Sequence, residues 1–427
     1  MDNRSEPFEV PSGRVARGRV TAPPSKSIAI RSLVCAALAE GTSTLHGLTR
    51  CDADDVQRTI VALKTLGFAI DGDRVTGAGG KIPNPEVTLD LGGSGTAFRF
   101  LTAVAALGPG PTTLTGDESL RRRPMGSIVR PLRQLGVAVR ATGRRSFAPL
   151  LVSGGPPSKR VALKVRTDAT SQALSALMLI APGLPDPMAP RASFEILRRL
   201  EGARAVSMPY LMLTARIVTA FGVWTAKPRV AFRYRARDLA MEGDWSGAAF
   251  LLGAAGVSRG DVVVDELRWE SVQADYRMAA LLRDFGADVS PESDGVRVVG
   301  NDRRPLDVDL RDAPDLAPLV GALGCVATGT TRVRGAAHLR IKESDRIATV
   351  VAAARVLGCE ARELPDGFEI DGPAKHGGLI VTQHDHRIAM AFAVAGLTIP
   401  GVVIDDPACV AKSYPGFWDD LARLTSG

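Results

Sequence analysis

Several stretches of this chain open an apolar run with cations, hydroxyls or glycines gathered at its head. Lys26 stands between Ser25 and Ser27, with Arg31 one turn further on. Gly92, Gly93, Ser94, Gly95 and Thr96 precede "AFRFLTAVAAL". Arg121, Arg122 and Arg123 precede Pro124, and Thr170, Ser171 and Gln172 precede "ALSALMLIAP". Lys342, Glu343 and Arg346 fall in "RIKESDRIATVV", His386 and Arg387 in "HDHRIAMAFAVAG", and Lys412 in "AKSYPGF". The first N–H groups of a helix lack internal partners and carry partial positive charge. Serine and threonine cap them, and glycine lets backbone approach a ligand. A lysine or arginine there opposes the helix dipole unless an anion is also present. One such cluster is an ordinary cap with a solvated charge; their recurrence predicts phosphate or carboxylate ligands.

Acid–base chemistry needs carboxylates near those cations. Glu343 lies beside Lys342 and three residues before Arg346, and Asp315 heads the apolar run of "APDLAPLVGAL". A carboxylate among cations stays ionised and can accept a proton. "GGSGT" is no P-loop, since no G-x-x-x-x-G-K-[ST] is present, nor is it a dinucleotide fingerprint. The two histidines of "HDHR" are two apart and diverge on a helix, so a capped start fits them better than a metal pair.

The elements that carry these residues repeat. "AALAEGTSTLHGL", "TAVAALGPGPTTLTGD", "GAAGVSRGDVVVDEL" and "GCVATGTTRVRGA" share one plan, with turn glycines near 41, 110, 183, 260, 329 and 401, about 70 residues apart. Between them, helical patterns end at Gly67, Gly136, Gly222, Gly286 and Gly358, each followed by a short strand. Glycine suits the residue after a helix end, which often takes positive φ. The units read strand–helix–strand–helix–strand–strand, about six in all. That predicts an α/β chain of two compact domains of three units, with a boundary near residue 238. A unit of this size is long for a solenoid.

Composition sets limits. The 427 residues carry a net charge of +7, 45% apolar and 23% charged residues. No stretch suits a membrane span and no N-terminal apolar core suggests a secretory signal. Cys35, Cys51, Cys325, Cys359 and Cys409 are scattered and form no C-x-x-C, so neither a disulfide framework nor a zinc site is expected. The positive balance favours anionic partners. Aromatic residues are 5%, few for a surface that stacks bases.

Taken in order, "PPSKSIAIR", "LGGSGTAFR", "RRRPMG", "DATSQALSALML", "SMPYL", "EGDWSGAAF", "APDLAPL", "RIKESDR", "DHRIAM" and "AKSYPGF" resemble the enolpyruvyl transferase family, and within it the shikimate-type members, over essentially the whole chain. The resemblance implies an α/β fold of two domains, each of three β-α-β-α-β-β units, with the active site in the cleft between them. It implies a discontinuous domain of 1–22 with 239–427 and an inserted domain of 23–238. The implied reaction moves the enolpyruvyl group of phosphoenolpyruvate to the 5-hydroxyl of shikimate 3-phosphate, in a cytoplasmic monomer with no metal or organic cofactor, no nucleic acid and no membrane. Residue by residue, it implies that Ser27 and Arg31 hold the shikimate carboxylate. Thr170, Ser171 and Ser207 hold its phosphate, Gln172 and Tyr210 line the same pocket, and Asp315, His338 and Lys342 meet the ring. Lys26, Gly95, Arg123, Gln172, Glu343, Arg346, His386, Arg387 and Lys412 surround phosphoenolpyruvate. Lys26, Asp315 and Glu343 are the expected proton-transfer groups, with Asp315 acting on the hydroxyl.

The chain departs from that pattern in places. Pro24 stands where the family usually has glycine, Gly93 and His338 where it has asparagine, Thr170 where it has serine, and Met208 where a basic residue is frequent. A paralogue with another hydroxyl acceptor is the nearest alternative. The UDP-N-acetylglucosamine branch typically has a cysteine before the Arg-Pro matched by Arg123-Pro124, and "GDESLRRRPM" has none. A nucleic-acid-binding, cyclase-like protein of related repeat is the alternative from another class.

Overall fold

The structure, a computed structural model, describes residues 6–153, 171–183, 206–222 and 234–426. The chain forms two compact units: Met1–Ser25 with Glu242–Gly427, and Lys26–Met241.

One sheet plan recurs within them. In the inserted unit, Asp238–Ala240 runs parallel to Glu40–His46, which pairs antiparallel with Arg74–Ala78 and, through it, Ala69–Asp71. A second sheet orders Thr88–Asp90, Thr112–Thr115, Leu150–Ser153 and Ala138–Ala141 in the same way. In the discontinuous unit, Arg17–Thr21 lies parallel to Asp261–Asp265, followed by Gly295–Val299 and Asp288–Glu292. Asp307–Asp309, Gly329–Arg334, Gly367–Gly372 and Glu360–Leu364 repeat it. A three-stranded sheet places Val402–Ile404 between Gly378–Ile380 and Phe8–Glu9. The parallel pair needs a helical crossover, and the antiparallel pairs need only turns, which is the strand–helix–strand–helix–strand–strand order read from the sequence. Gly67, Gly136, Gly222, Gly286 and Gly358 all have positive φ, between 79° and 113°, after helix ends.

The first helix of each repeat goes to the middle of its unit. Trp245–Ser258, Ala317–Val326 and His386–Gly396 pack on one another and are buried almost throughout. Lys26–Leu38, Gly95–Ala105 and Gln172–Ile180 do the same in the inserted unit. A helix apolar on every side is stable only inside a core. Most of its body is apolar, so the candidate site residues gather at its start, with Arg31 and Arg99 buried about one turn further in.

The chain leaves and re-enters the discontinuous unit along paired segments. Asp244 N donates to Pro23 O at 2.7 Å and Ser25 N to Glu242 O at 2.9 Å. Ser25 Oγ donates to Gln273 Oε1 at 2.8 Å, and Gln273 Nε2 donates to Glu242 Oε1 and Gly243 O. The crossing is therefore fastened by buried side chains immediately before Lys26.

Among the described residues, no helix is long and apolar enough to cross a membrane.

Candidate functional site

In the discontinuous unit the expected residues converge on a lattice of ions. Arg346 is the first residue of the helix Arg346–Val356, whose cap Asp345 accepts from Ala348 N. Its guanidinium, 1% exposed, reaches three carboxylates: Asp315 Oδ1 at 2.7 Å, Glu343 Oε2 at 2.9 Å and Asp385 Oδ2 at 2.8 Å. Asp315 also meets Lys342 Nζ at 3.5 Å and Arg387 Nη2 at 3.2 Å, and Lys412 Nζ lies 3.4 Å from Glu343 Oε1. Asp385, fully buried, caps the helix His386–Gly396 by accepting from Arg387 N, and it also accepts from Ser344 Oγ. His386 is buried at the start of that helix, its Nδ1 3.9 Å from Asp385 Oδ1. Asp315, Lys342, Glu343, Arg346, His386, Arg387 and Lys412 thus share one cluster.

Charge in this cluster is held by neighbours rather than by water. Burial pushes the Asp315 carboxyl up, but Arg387, Lys342 and Arg346 outweigh it and hold it well below the usual carboxylate range. Burial works against the Arg346 charge, and Asp385, Glu343 and Asp315 more than restore it. His338 lies in the short 3-10 helix Ala337–Ile341, 6% exposed, with no hydrogen-bond partner for Nε2 among the described residues. Burial, then Lys342, Arg346 and Arg311 against Asp315, lower its pKa to about 4. It is a neutral ring at working pH.

In the inserted unit, Lys26 begins the helix Lys26–Leu38 and its Nζ donates to Asp55 Oδ2 at 2.8 Å. Arg31, one turn later, is buried. It donates to Thr214 Oγ1 and to Ser27 O, and its Cζ lies 5.1 Å from the Phe100 ring centroid and 6.0 Å from that of Tyr210. No carboxylate is among these partners, and burial, opposed by Tyr210 and Cys35, lowers its pKa to about 10. A cation so placed gains from an incoming anion. Ser207 immediately precedes the helix Met208–Ala220 in a left-handed conformation, φ 60°, and is buried, as is Ser171 ahead of Gln172–Ile180. Thr170 lies outside the described residues.

A second group surrounds Gly95. Gln172 Oε1 accepts from Arg99 Nη1 at 2.7 Å, and Gln172 Nε2 donates to Thr96 Oγ1 at 2.9 Å. Arg123, buried, donates from Nη2 to Ser119 Oγ at 3.0 Å and from Nη1 to Gly93 O at 3.3 Å. A Cβ on Gly95 would lie 2.9 Å from Arg99 Nη1 and 3.1 Å from Arg123 Nη1, so the glycine leaves space beside two guanidinium groups.

Sequence reasoning overlooked the partners of three of its own site residues. Asp55, Asp385 and Arg99 hold Lys26, Arg346 and Gln172 respectively. Asp385 was findable as an aspartate immediately before a helical apolar run. Asp55 and Arg99 carry no comparable local signal, because each partner is distant along the chain or across helices.

Three comparisons bear on this arrangement. The family model described as EPSP synthase (3-phosphoshikimate 1-carboxyvinyltransferase) matches residues 11–421. A 3-phosphoshikimate 1-carboxyvinyltransferase of Methanothermobacter thermautotrophicus is 38% identical over 416 residues, 95% of this chain and 96% of the relative. One from Trichormus variabilis is 36% identical over 419 residues, 95% of this chain and 96% of the relative. The solved EPSP synthase of Acinetobacter baumannii superposes with a TM-score of 0.74 at 26% identity, covering 98% of this chain and 97% of that one.

Proposed function

The chain belongs to the EPSP synthase family and transfers the enolpyruvyl group of phosphoenolpyruvate to the 5-hydroxyl of shikimate 3-phosphate, and we propose that the side chains above divide that work as follows. The observation that carries the proposal is the carboxylate Asp315 held by Lys342, Arg346 and Arg387.

Both substrates carry several negative charges, and a buried site must neutralise them to bring them together. Arg31, with Ser27, takes the shikimate carboxylate. Ser171, Ser207 and Thr170 take its phosphate, with Gln172 and Tyr210 beside it. His338 and Lys342 address the ring. Lys26, Arg123, Arg346, Arg387 and Lys412 take phosphoenolpyruvate, with Gly95, Gln172, Glu343 and His386 completing its surroundings.

Asp315 is the base. In the unliganded protein its affinity for a proton is low because three cations hold it. Substrate anions draw on those same cations, and the carboxylate then becomes basic enough to accept the hydroxyl proton. The hydroxyl oxygen bonds to C2 of phosphoenolpyruvate while C3 gains a proton. The tetrahedral adduct then expels phosphate from C2 and loses a proton from C3, leaving the enolpyruvyl ether. Glu343, bonded to Arg346 and Lys412, and Lys26, bonded to Asp55, exchange the C3 protons. The protein works in the cytoplasm as a monomer, without nucleic acid; size-exclusion chromatography tests the monomer.

The direct test is phosphate release from phosphoenolpyruvate and shikimate 3-phosphate, with the organic product identified by mass. Asp315→Asn is expected to fold and to lose at least roughly a hundredfold in kcat. Near-normal turnover by that variant refutes Asp315 as the base.

A further inference from the structure

Asp275 has no part in the roles above. It lies in the short 3-10 helix Ala274–Arg277 and is 1% exposed. Its Oδ2 accepts from Ser246 Oγ at 2.5 Å, while its buried Oδ1 has no hydrogen-bond partner among the described residues. This turn packs on the helix Trp245–Ser258. So do the turn Pro314–Leu316, which carries Asp315, and the helix His386–Gly396, which carries Arg387. Among the described residues, the charged groups that act most strongly on Asp275 from these elements are Asp315, Arg387 and Asp244, the cap of Trp245–Ser258.

A carboxyl buried with one oxygen unmatched is costly to keep for packing alone. We infer that Asp275 is a positioning residue for enolpyruvyl transfer: its carboxylate, buried near Asp315 and Arg387, sets how readily Asp315 takes the hydroxyl proton. A negative charge there raises the proton affinity of Asp315 and draws on Arg387, which otherwise suppresses it. When Asp275 is protonated, both effects vanish. Burial first, then Asp315, against Arg387 and the Ser246 hydrogen bond, push its pKa up to about 6, so the change falls within a pH range an assay can scan. The inference rests on the reading of Asp315 as the base.

The test measures kcat at saturating substrates from pH 5 to 8.5 for wild type, Asp275→Asn, Ser246→Ala and Asp315→Asn. Substrate phosphates also titrate near pH 6, but equally for every variant, so they cancel in ratios. The wild-type to Asp275→Asn ratio is expected to be near one at pH 5, to rise with a midpoint near 6, and to level at roughly tenfold. A ratio independent of pH overturns the inference, since it is what a merely structural carboxamide defect produces. Ser246→Ala removes the hydrogen bond that favours the charged form. It is expected to show a deficit that peaks slightly above pH 6 and closes again by pH 8.5; a uniform or absent deficit overturns the inference even if Asp275→Asn fails to fold. Normal turnover by Asp315→Asn refutes the base itself. Loss there, with a flat Asp275→Asn ratio, refutes only the role given to Asp275.

Discussion

Single side chains in this protein are read best by asking what compensates each buried charge. His338 is neutral above about pH 5, because burial and nearby cations lower its pKa to about 4. Replacing it by asparagine therefore removes no charge. His338→Asn is expected to keep or raise turnover with shikimate 3-phosphate, and a loss of more than roughly tenfold in kcat/KM would show that the ring serves another acceptor. Asp275 illustrates the opposite case. Its folded pKa is raised, so below about pH 4 it costs nothing, and it costs stability increasingly as pH rises through about 6. Asp275→Asn is expected to be more stable than wild type at pH 8, by at most about 3 kcal/mol, with the gain shrinking toward pH 4 in urea titrations. A variant less stable than wild type at pH 8 contradicts that cost. Greater stability with lower activity is what a strained functional carboxyl entails.

At the scale of the element, the useful unit is a buried helix with a polar first turn. Arg346 ties the start of one such helix to Asp315, to Glu343 and to Asp385 at the start of another. Arg346→Met leaves those carboxylates without their common cation and is expected to cost about 3–5 kcal/mol at pH 7 in urea unfolding. The sign with pH follows from Asp315, whose folded pKa is depressed. That stabilisation is complete above the ordinary aspartate value near 4 and is lost as pH falls through the lower folded value. The gap between wild type and Arg346→Met should therefore narrow only below about pH 4, and a gap unchanged at pH 3 contradicts the lattice as its source. Gly95 tests the space at another helix start. An added Cβ there presses on the ends of Arg99 and Arg123, which can shift. Gly95→Ala is expected to fold normally and to raise KM for phosphoenolpyruvate by roughly tenfold with a smaller change in kcat; an unchanged KM would place that substrate elsewhere.

For the whole molecule, the periodic features were the legible ones. Glycines after helix ends announced the repeat, because their positive φ is a local demand that sequence records directly. The cations were legible for the same reason: lysine and arginine at an unfavourable helix end stand out from their neighbours. Their pairings did not stand out, even where a partner such as Asp385 could be seen as a helix cap. Asp55 and Lys26 are 29 residues apart, and Arg346 and Asp385 are 39 apart. Such pairs depend on how buried helices pack, which no local pattern encodes. Nor did the sequence single out Asp275, whose neighbour Ser246 is 29 residues away and whose neighbour Asp315 comes from another repeat. The sheets explain how residues so far apart are brought into register: Asp238–Ala240 completes a sheet begun by Glu40–His46, and Arg17–Thr21 completes one continued by Asp261–Asp265.

The central claim is that Lys26 in the inserted unit and Lys342 in the discontinuous one serve a single reaction. Initial-rate phosphate release with phosphoenolpyruvate and shikimate 3-phosphate, followed by mass identification of the product, tests it in wild type, Lys26→Ala and Lys342→Ala. One phosphate per enolpyruvyl ether is expected from the wild type. Each folded variant is expected to show at least roughly a hundredfold lower kcat/KM. Near-wild-type turnover by either lysine variant would contradict it.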